Sequence, residues 1–455
     1  MSERRTFAAP AHLRWACLPP ERGIAVEMWS GREARALRGA LRLSVRDFAA
    51  HLGVAPRTVS KWEAGDEAVH PRPDLQSVLD TALQRADEAA RTRFEAALAR
   101  ADPAETPLRD SGWGRDATEG LARFLADGRP LTAGSALRLA QEWRTTEAPQ
   151  VEEMRAGRRV GDRLARLVRE RVALLRRMDD VLGGGDLHDL VGTELRSTLG
   201  AVREAAYTEE TGRALLAAVA DLCQLAGWVA SDAGLSRRAE RYYLGGVQAA
   251  HAAQDPTLVA NLLSSLSYQV ANVGDPREAV LLATGAHREA ERVATPLARA
   301  LLLERVAWAN ARVGDLRATE AALGAAWDAF VTKEPDEGPS WAYWLTADEV
   351  DIMAGRCLTE LRRPRRAVPL LAPVLARYDA GRPRELALYL SWLAEAHVYA
   401  DEVDRAATVA TRALQLSAGV ASTRSRQRVQ LLRRLLDPYR GQADVDAFEQ
   451  QARSI

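Results

Sequence analysis

The sequence predicts an all-α protein in three parts: an N-terminal unit of four short helices, a helical linker, and a C-terminal α-solenoid of repeated helical hairpins. Three observations carry this prediction. Between Gly31 and Leu83 apolar residues recur three and four apart, the spacing of one helix face. Gly234, Gly274 and Gly314 stand forty residues apart, each between two helix-like segments. At 455 residues the chain is also about three times the length of a typical domain. Its 62 basic and 62 acidic residues balance, so any nucleic-acid surface has to be local.

Residues 1–29 are read as an extension and 30–95 as the first domain. Its first helix runs from Gly31 to Leu43, with Ala34, Leu37 and Leu41 inward and Arg32, Arg35, Arg38 and Arg42 on the other faces. Ser44 can accept the orphan backbone donors of a second helix, SVRDFAAHLG, which turns Val45, Phe48, Ala49 and Leu52 one way and stops at Gly53. Pro56 suits the first turn of a third helix, where its missing N–H would be unpaired anyway. Val59 and Trp62 then point inward and leave Arg57, Ser60 and Lys61 outside. A fourth helix, PDLQSVLDTALQRA, gives Leu75, Val78, Leu79 and Leu83 to the same core. Four short helices with a Gly-centred turn between the second and third describe a helix-turn-helix unit. From Arg32 to Trp62, seven cations stand against Glu33 and Asp47, a local excess that suits a phosphate-facing surface better than a merely solvated one.

The stretch SVRDFAAHLGVAPRTVSKWEAG resembles the DNA-binding domain of the Xre/Cro/phage-repressor family, and the flanking GREARALRGALRL and PRPDLQSVLDTAL resemble its actinobacterial members. The resemblance covers residues 30 to about 95 and implies binding to a double-stranded DNA operator as a homodimer, with the second helix at the phosphate backbone and the third in the major groove. It assigns Val45 and Arg46 to the backbone, and Ala55, Pro56, Arg57, Ser60 and Lys61 to the groove. Arg57 and Lys61 are the guanine readers it implies, whereas Ala55 and Pro56 depart from the polar residues usual there. Lys61 and Lys333 are the only lysines; the dominance of arginine is the mark of a GC-rich bacterial genome.

Residues 96–214 are read as linker and helical region. ADPAETPLRDSGWG and DGRPLTAG carry the Pro, Gly and Asp of breaks. VEEMRAGRRVGDRLARLVRERVALLRRMDDVL reads as one long helix, with Val160, Leu164, Leu167, Val168, Leu174 and Leu175 on its apolar side and nine arginines from Arg155 to Arg177. Those arginines suit a solvated face, a dimer helix or a second DNA contact. GGGD at 183–186 ends the helix and offers a hinge; without a following Gly-Lys-Ser/Thr it is not a phosphate loop. His188 and Asp189 read as a surface pair in that hinge.

In residues 215–455, AGLSRRAERYY, VGDPREAVLLA and VGDLRATEAAL share one register, with less regular copies around Pro364 and Asp401. A helical pair buries its apolar face only by stacking on its neighbours, so the repeat implies a solenoid. The pattern resembles the tetratricopeptide family, in which the first helix of each pair faces a concave groove. Six residues before the three glycines stand Trp228, Tyr268 and Trp308, and by the resemblance they form an aromatic ladder in that groove. Gln224, Ser264 and Glu304, then Asp221 and Asn261, and beyond the rings Asn272 and Arg312, share the face by helical spacing. Plates interleaved with amides and charges suit a peptide, small-molecule or protein ligand; the alternative is that the rings are core.

Cys17, Cys223 and Cys357 are too far apart for a metal knuckle, no charged start leads an apolar export run, and no uncharged apolar stretch reaches membrane length, so a cytoplasmic protein without membrane contact is expected. The seven histidines are dispersed and no catalytic motif occurs; no enzyme activity, cofactor or metal is expected. The expectation is a transcription regulator with a sensing solenoid, the alternative a docking scaffold with accessory DNA attachment.

Overall fold

The computed structural model describes residues 26, 29–65, 69–100, 112–128, 131, 134–182, 184–334, 338–379, 381–417 and 423–453. It divides into two compact units, Met1–Ala104 and Glu105–Ile455.

In the first unit, α1 (Gly31–Ala40), α2 (Val45–Leu52), α3 (Pro56–Gly65), α4 (Pro73–Arg85) and α5 (Glu88–Arg100) surround one core. The start and stop of α2 follow the sequence: the Ser44 hydroxyl accepts the Asp47 N–H at 3.1 Å, and Gly53 sits left-handed at φ 70°, its N–H turned back to the last carbonyls. Phe48, Ala49, Leu52, Val59 and Trp62 are buried, with Ala34 and Leu37 of α1 and Leu79 and Leu83 of α4. Two parts of this core lie outside the four predicted helices. Trp29, placed in the extension, is buried against Phe94 of α5 with ring centroids 5.7 Å apart, and its indole donates to Asp80 at 2.8 Å. α5 begins where Asp87 accepts the Ala90 N–H at 2.6 Å, and it buries Ala90 and Phe94. Four short helices of this length enclose too little apolar area, and the fifth completes the core.

In the second unit, α6 (Arg115–Ala126), α7 (Ser135–Thr145), α8 (Asp162–Asp179) and α9 (Gly184–Glu204) share a core with the repeats. The expected long helix from Val151 begins only at Asp162. Ahead of it Val151 bridges Trp113, and Arg158–Arg159 (β1) pairs in parallel with Ala205–Ala206 (β2). The apolar side of α8 is therefore Ala165, Val168, Val172 and Leu175, while Leu167 and Leu174 are exposed. GGGD is no loose hinge at Gly184: that residue opens α9 so close to the following helix, Glu209–Asp232, that an added Cβ would lie 2.5 Å from the Val229 carbonyl. His188 is half-buried beside the Tyr242 ring rather than on the surface. Residues 101–111 of the expected linker lie outside the described residues.

Hairpins follow in strict order: α10 (Glu209–Asp232) with α11 (Ser236–Ala252), α12 (Pro256–Val273) with α13 (Pro276–Ala290), and α14 (Pro296–Val313) with α15 (Leu316–Val331). After a 3-10 turn at Ser340–Ala342 come α16 (Ala347–Glu360) with α17 (Pro364–Arg377), α18 (Pro383–Tyr399) with α19 (Val403–Ser417), and α20 (Thr423–Leu436) with α21 (Ala443–Ala452). First helices stack on first helices, and each second helix fills the step to the next pair. Asp255, Asp275, Thr295, Asp315 and Thr346 cap helices with their side chains. Gly234 and Gly314 turn the chain between paired helices at φ 86° and 83°, and the irregular copies do so with Arg362 and Asp401 at φ 55° and 60°. Helix α10 alone among the described residues has the length and hydropathy of a membrane span, and it is the buried centre of this unit.

Candidate functional site

The first candidate surface lies on α2 and α3. Val59 and Trp62 anchor α3 to the core, and helical geometry then turns Ala55, Pro56, Arg57, Ser60 and Lys61 outward together; all five are exposed, as is Arg46, while Val45 is half-buried against the core. Not every cation of the sequence excess is free for a partner. Glu63 holds Arg38 through two hydrogen bonds of 2.6 and 2.9 Å, and its carbonyl accepts from Arg35, so two arginines of α1 brace the end of α3. The hydrogen bond to Glu63 raises the Arg38 pKa above its usual value. Arg46, Arg57 and Lys61 have no ion pair with a described residue.

The second candidate is a cavity in the repeat unit, with about 1070 Å³ of empty space including its mouth. α10 gives Gln224, Leu225 and Trp228; α12 gives Asn261, Ser265 and Tyr268; α14 gives Leu301, Glu304 and Arg305; α16 gives Glu349, Met353 and Arg356. The wall is completed by Arg176 and Asp179 of α8, by Trp341, Tyr343 and Trp344, by Arg384 and Tyr389 of α18 and by Arg424 of α20.

An aromatic ladder does run through the stack. Trp228 and Tyr268 lie 5.9 Å apart and nearly parallel, Tyr268 and Trp308 are 6.2 Å apart, and Trp308 meets Trp392 edge-on at 5.3 Å. Trp228 and Tyr268 border the cavity, whereas Trp308 is buried behind it as core. Of the ten residues predicted for the groove, Gln224, Trp228, Asn261, Tyr268 and Glu304 meet around this one space. The other five do not. Asp221 is consumed by Arg176, Ser264 bonds back to the Asn261 carbonyl at 2.9 Å, and Asn272 is exposed and donates to the Tyr268 carbonyl at 2.7 Å. Trp308 packs, and Arg312 spans from the Ala271 carbonyl at 2.9 Å to Glu360 at 2.5 Å.

The charges in the wall fall into two sets. One is paired: Arg176 with Asp221 and Gln224, Arg384 with Asp179 at 3.0 Å and Asp232 at 3.4 Å, and Arg424 with Asp232 at 2.7 Å. Burial alone would raise the Asp232 pKa, but Arg424 and Arg384 outweigh it and hold the carboxyl down at about 2. The other set is buried without ion-pair partners among the described residues. Arg305 lies 4.7 Å from the Tyr268 ring centre and 5.8 Å from that of Trp344, and Arg356 donates to the Tyr268 hydroxyl at 2.6 Å. The Glu304 Oε1, Asn261 Nδ2 and Arg356 Nε atoms are buried and make no hydrogen bond. Burial pushes the Glu304 carboxyl up to about 8 against the pull of Arg305 and Arg356, with Glu349 reinforcing the rise. Burial likewise lifts Glu349 to about 7 although Tyr389 and Tyr378 donate to it at 2.7 and 2.8 Å. Burial opposes ionisation of Tyr268, yet Arg356, Arg424 and Arg305 together bring its hydroxyl down to about 8.

Several wall residues were readable by register but were missed. Counted back from Gly234, Gly274, Gly314 and then the left-handed Arg362, the position six before holds Trp228, Tyr268, Trp308 and Arg356. The position nine before holds Leu225, Ser265, Arg305 and Met353, all in the wall. The marker is the turn between paired helices, which Gly274 makes at φ -121° and Arg362 makes left-handed without a glycine, so a search for glycine alone passes over the fourth copy. Nothing in the repeat spacing indicates Arg176, Trp344 or Arg424, which come from outside it.

Residues 30–94 match the family model described as a helix-turn-helix domain. The chain therefore carries an N-terminal helix-turn-helix domain, which supports a DNA-binding regulator. No curated protein matches the chain.

Arg57→Ala and Lys61→Ala should each weaken binding to a selected duplex by about 1–3 kcal/mol while leaving the melting temperature in place, because both side chains point away from the core. Gel-shift titration checks this; unchanged affinity at low and high salt in both variants would remove α3 from the interface. For the cavity, a carboxyl raised from 4.5 to about 8 contributes stability that is complete below its unfolded value and lost as pH rises through its folded one. Glu304→Gln should therefore flatten the decline of the melting temperature between about pH 5 and pH 7.5 and raise it at the upper end. A slope identical to that of the parent protein would show that Glu304 is ionised in the fold.

Proposed function

We propose that this protein is a sequence-specific transcription regulator of the Xre type whose tetratricopeptide-like unit senses a ligand in the cavity. Arg46, Ala55, Pro56, Arg57, Ser60 and Lys61 form its operator-facing surface, Val45 sits at the phosphate backbone, and the DNA-bound form is a homodimer reading paired half-sites. The chain acts in the cytoplasm and has no enzyme activity. One observation supports sensing over docking more than any other: the buried Arg356 Nε, Glu304 Oε1 and Asn261 Nδ2 atoms around the cavity make no hydrogen bond. Unpaired buried polar groups cost free energy, and a pre-formed pocket with a few convergent polar groups is what a small ligand requires. A docking scaffold needs none of this, since its partner would lie on an open surface.

Sensing makes a demand on DNA binding. A ligand that prefers one conformation of the chain must alter its operator affinity whenever the two conformations differ in DNA affinity. Selecting duplexes from a random library with the full chain, then repeating the titration with the dialysable fraction of a cell extract, tests the reading. A shift of about fivefold or more in affinity is expected, together with sites made of two half-sites about one helical turn apart. A fraction that raises the melting temperature of the protein but leaves its DNA affinity unchanged would favour the scaffold.

A further inference from the structure

The cavity wall is rich in unpaired donors. Arg305 and Arg356 flank Tyr268 from different helices, with their guanidinium carbons 4.7 and 5.7 Å from its ring centre. Neither has a carboxylate within ion-pair distance among the described residues, although both are buried. The Asn261 amide nitrogen and the Arg356 Nε are buried donors without acceptors. Buried cations are stable when paired, and a guanidinium fork matches a carboxylate with two parallel hydrogen bonds. The remaining arginines of the wall are matched: Asp179 and Asp232 answer Arg384 and Arg424, and Asp221 answers Arg176. Glu304 and Glu349, the acids nearest the unmatched pair, are held largely protonated or close to half-protonated near neutral pH by burial. What is missing beside Arg305 and Arg356 is thus negative charge, next to rings and apolar side chains.

Resting on the sensing reading, we propose that the occupant is a small organic monoanion, a carboxylic acid with an aromatic or apolar body. Its carboxylate lies between Arg305 and Arg356, and its body lies along Trp228, Tyr268 and Trp344. Asn261 donates to the same end of the ligand. Glu304, kept protonated, takes a neutral hydrogen bond and does not repel the anion. The rings and apolar side chains beside the guanidiniums suit a carboxylate on an apolar body, and a cationic amine would face the guanidiniums directly.

The test uses the full chain and three probes of one shape: 3-phenylpropionate, 3-phenylpropionamide and 3-phenylpropylamine. Tryptophan fluorescence reports occupancy, because Trp228, Trp341 and Trp344 line the cavity, and thermal melting reports stabilisation. The acid is expected to bind roughly ten- to a hundredfold more tightly than its amide, with the amine weakest. Arg305→Met should bring the acid to the level of the amide without lowering the melting temperature, because it removes a buried unmatched charge; Arg356→Met should do the same to affinity. Equal or tighter binding of the amide or the amine, no saturable binding of the acid, or an acid preference that survives both substitutions overturns the assignment. The same probes added to the duplex titration separate the two ideas. If the acid binds but DNA affinity stays fixed, sensing fails and the anion site stands. If the amine binds and shifts DNA affinity, sensing stands and the anion site fails.

Discussion

Asp232 is the buried charge on which the C-terminal unit depends. It ends α10, it is fully enclosed, and it receives the Gly184 N–H at 3.0 Å, Arg424 at 2.7 Å and Arg384 at 3.4 Å. These contacts join the start of α9 and the end of α10 to the starts of α18 and α20, whose arginines lie 152 and 192 residues beyond Asp232 along the chain. A solenoid of hairpins is held together only between neighbours, and by itself it leaves an open trough. Here the end of α10, the first helix of the first pair, meets the start of the last pair, with the Thr423 hydroxyl on the Ala233 carbonyl at 3.0 Å beside the ion pairs. A buried carboxylate in this position would be a heavy cost without its two arginines; with them it stays ionised at any physiological pH.

Closure explains the character of the cavity. Inner helices supply a repeated set of rings and small polar groups, which alone would make a groove open to many partners. α8, the segment at 341–344 and α20 cover it with arginines and tryptophans, so that Arg305 and Arg356 lose water without gaining carboxylates. The N-terminal unit uses its arginines differently. Glu63 takes Arg38 and part of Arg35 to lock α1 to the end of α3, while Arg46, Arg57 and Lys61 of the second and third helices are left outward. Cations serve the fold where they meet an acid and are available to a partner where they do not.

Much of this was legible in the sequence where one local rule decided the outcome. Ser44, Gly53 and Pro56 set the ends of α2 and α3, and the alternation of Val59 and Trp62 with Arg57 and Lys61 sets the outward face. The forty-residue repeat gave the hairpins and five residues of the cavity wall, Gln224, Trp228, Asn261, Tyr268 and Glu304. The rest depends on contacts between distant segments. Trp29 and Phe94 look like flanking residues until they meet each other across the core. Arg158 and Arg159 have helical neighbours in sequence, yet they pair with Ala205 and Ala206 as strand. Asp221 and Arg312 lie on the predicted face, but Arg176 and Glu360, each more than 40 residues away, satisfy them first. Periodicity reports which way a side chain points and is silent about which charge reaches it.

Hydrogen–deuterium exchange on the full chain with Asp232→Ala tests the closure most directly. Loss of the hub is expected to raise exchange selectively at the starts of α9 and α20 and along 341–344, while α12 to α15, which are held by their own neighbours, keep their protection. Unchanged exchange at α20, or a uniform rise throughout the unit, would contradict an account in which this one carboxylate closes the cavity.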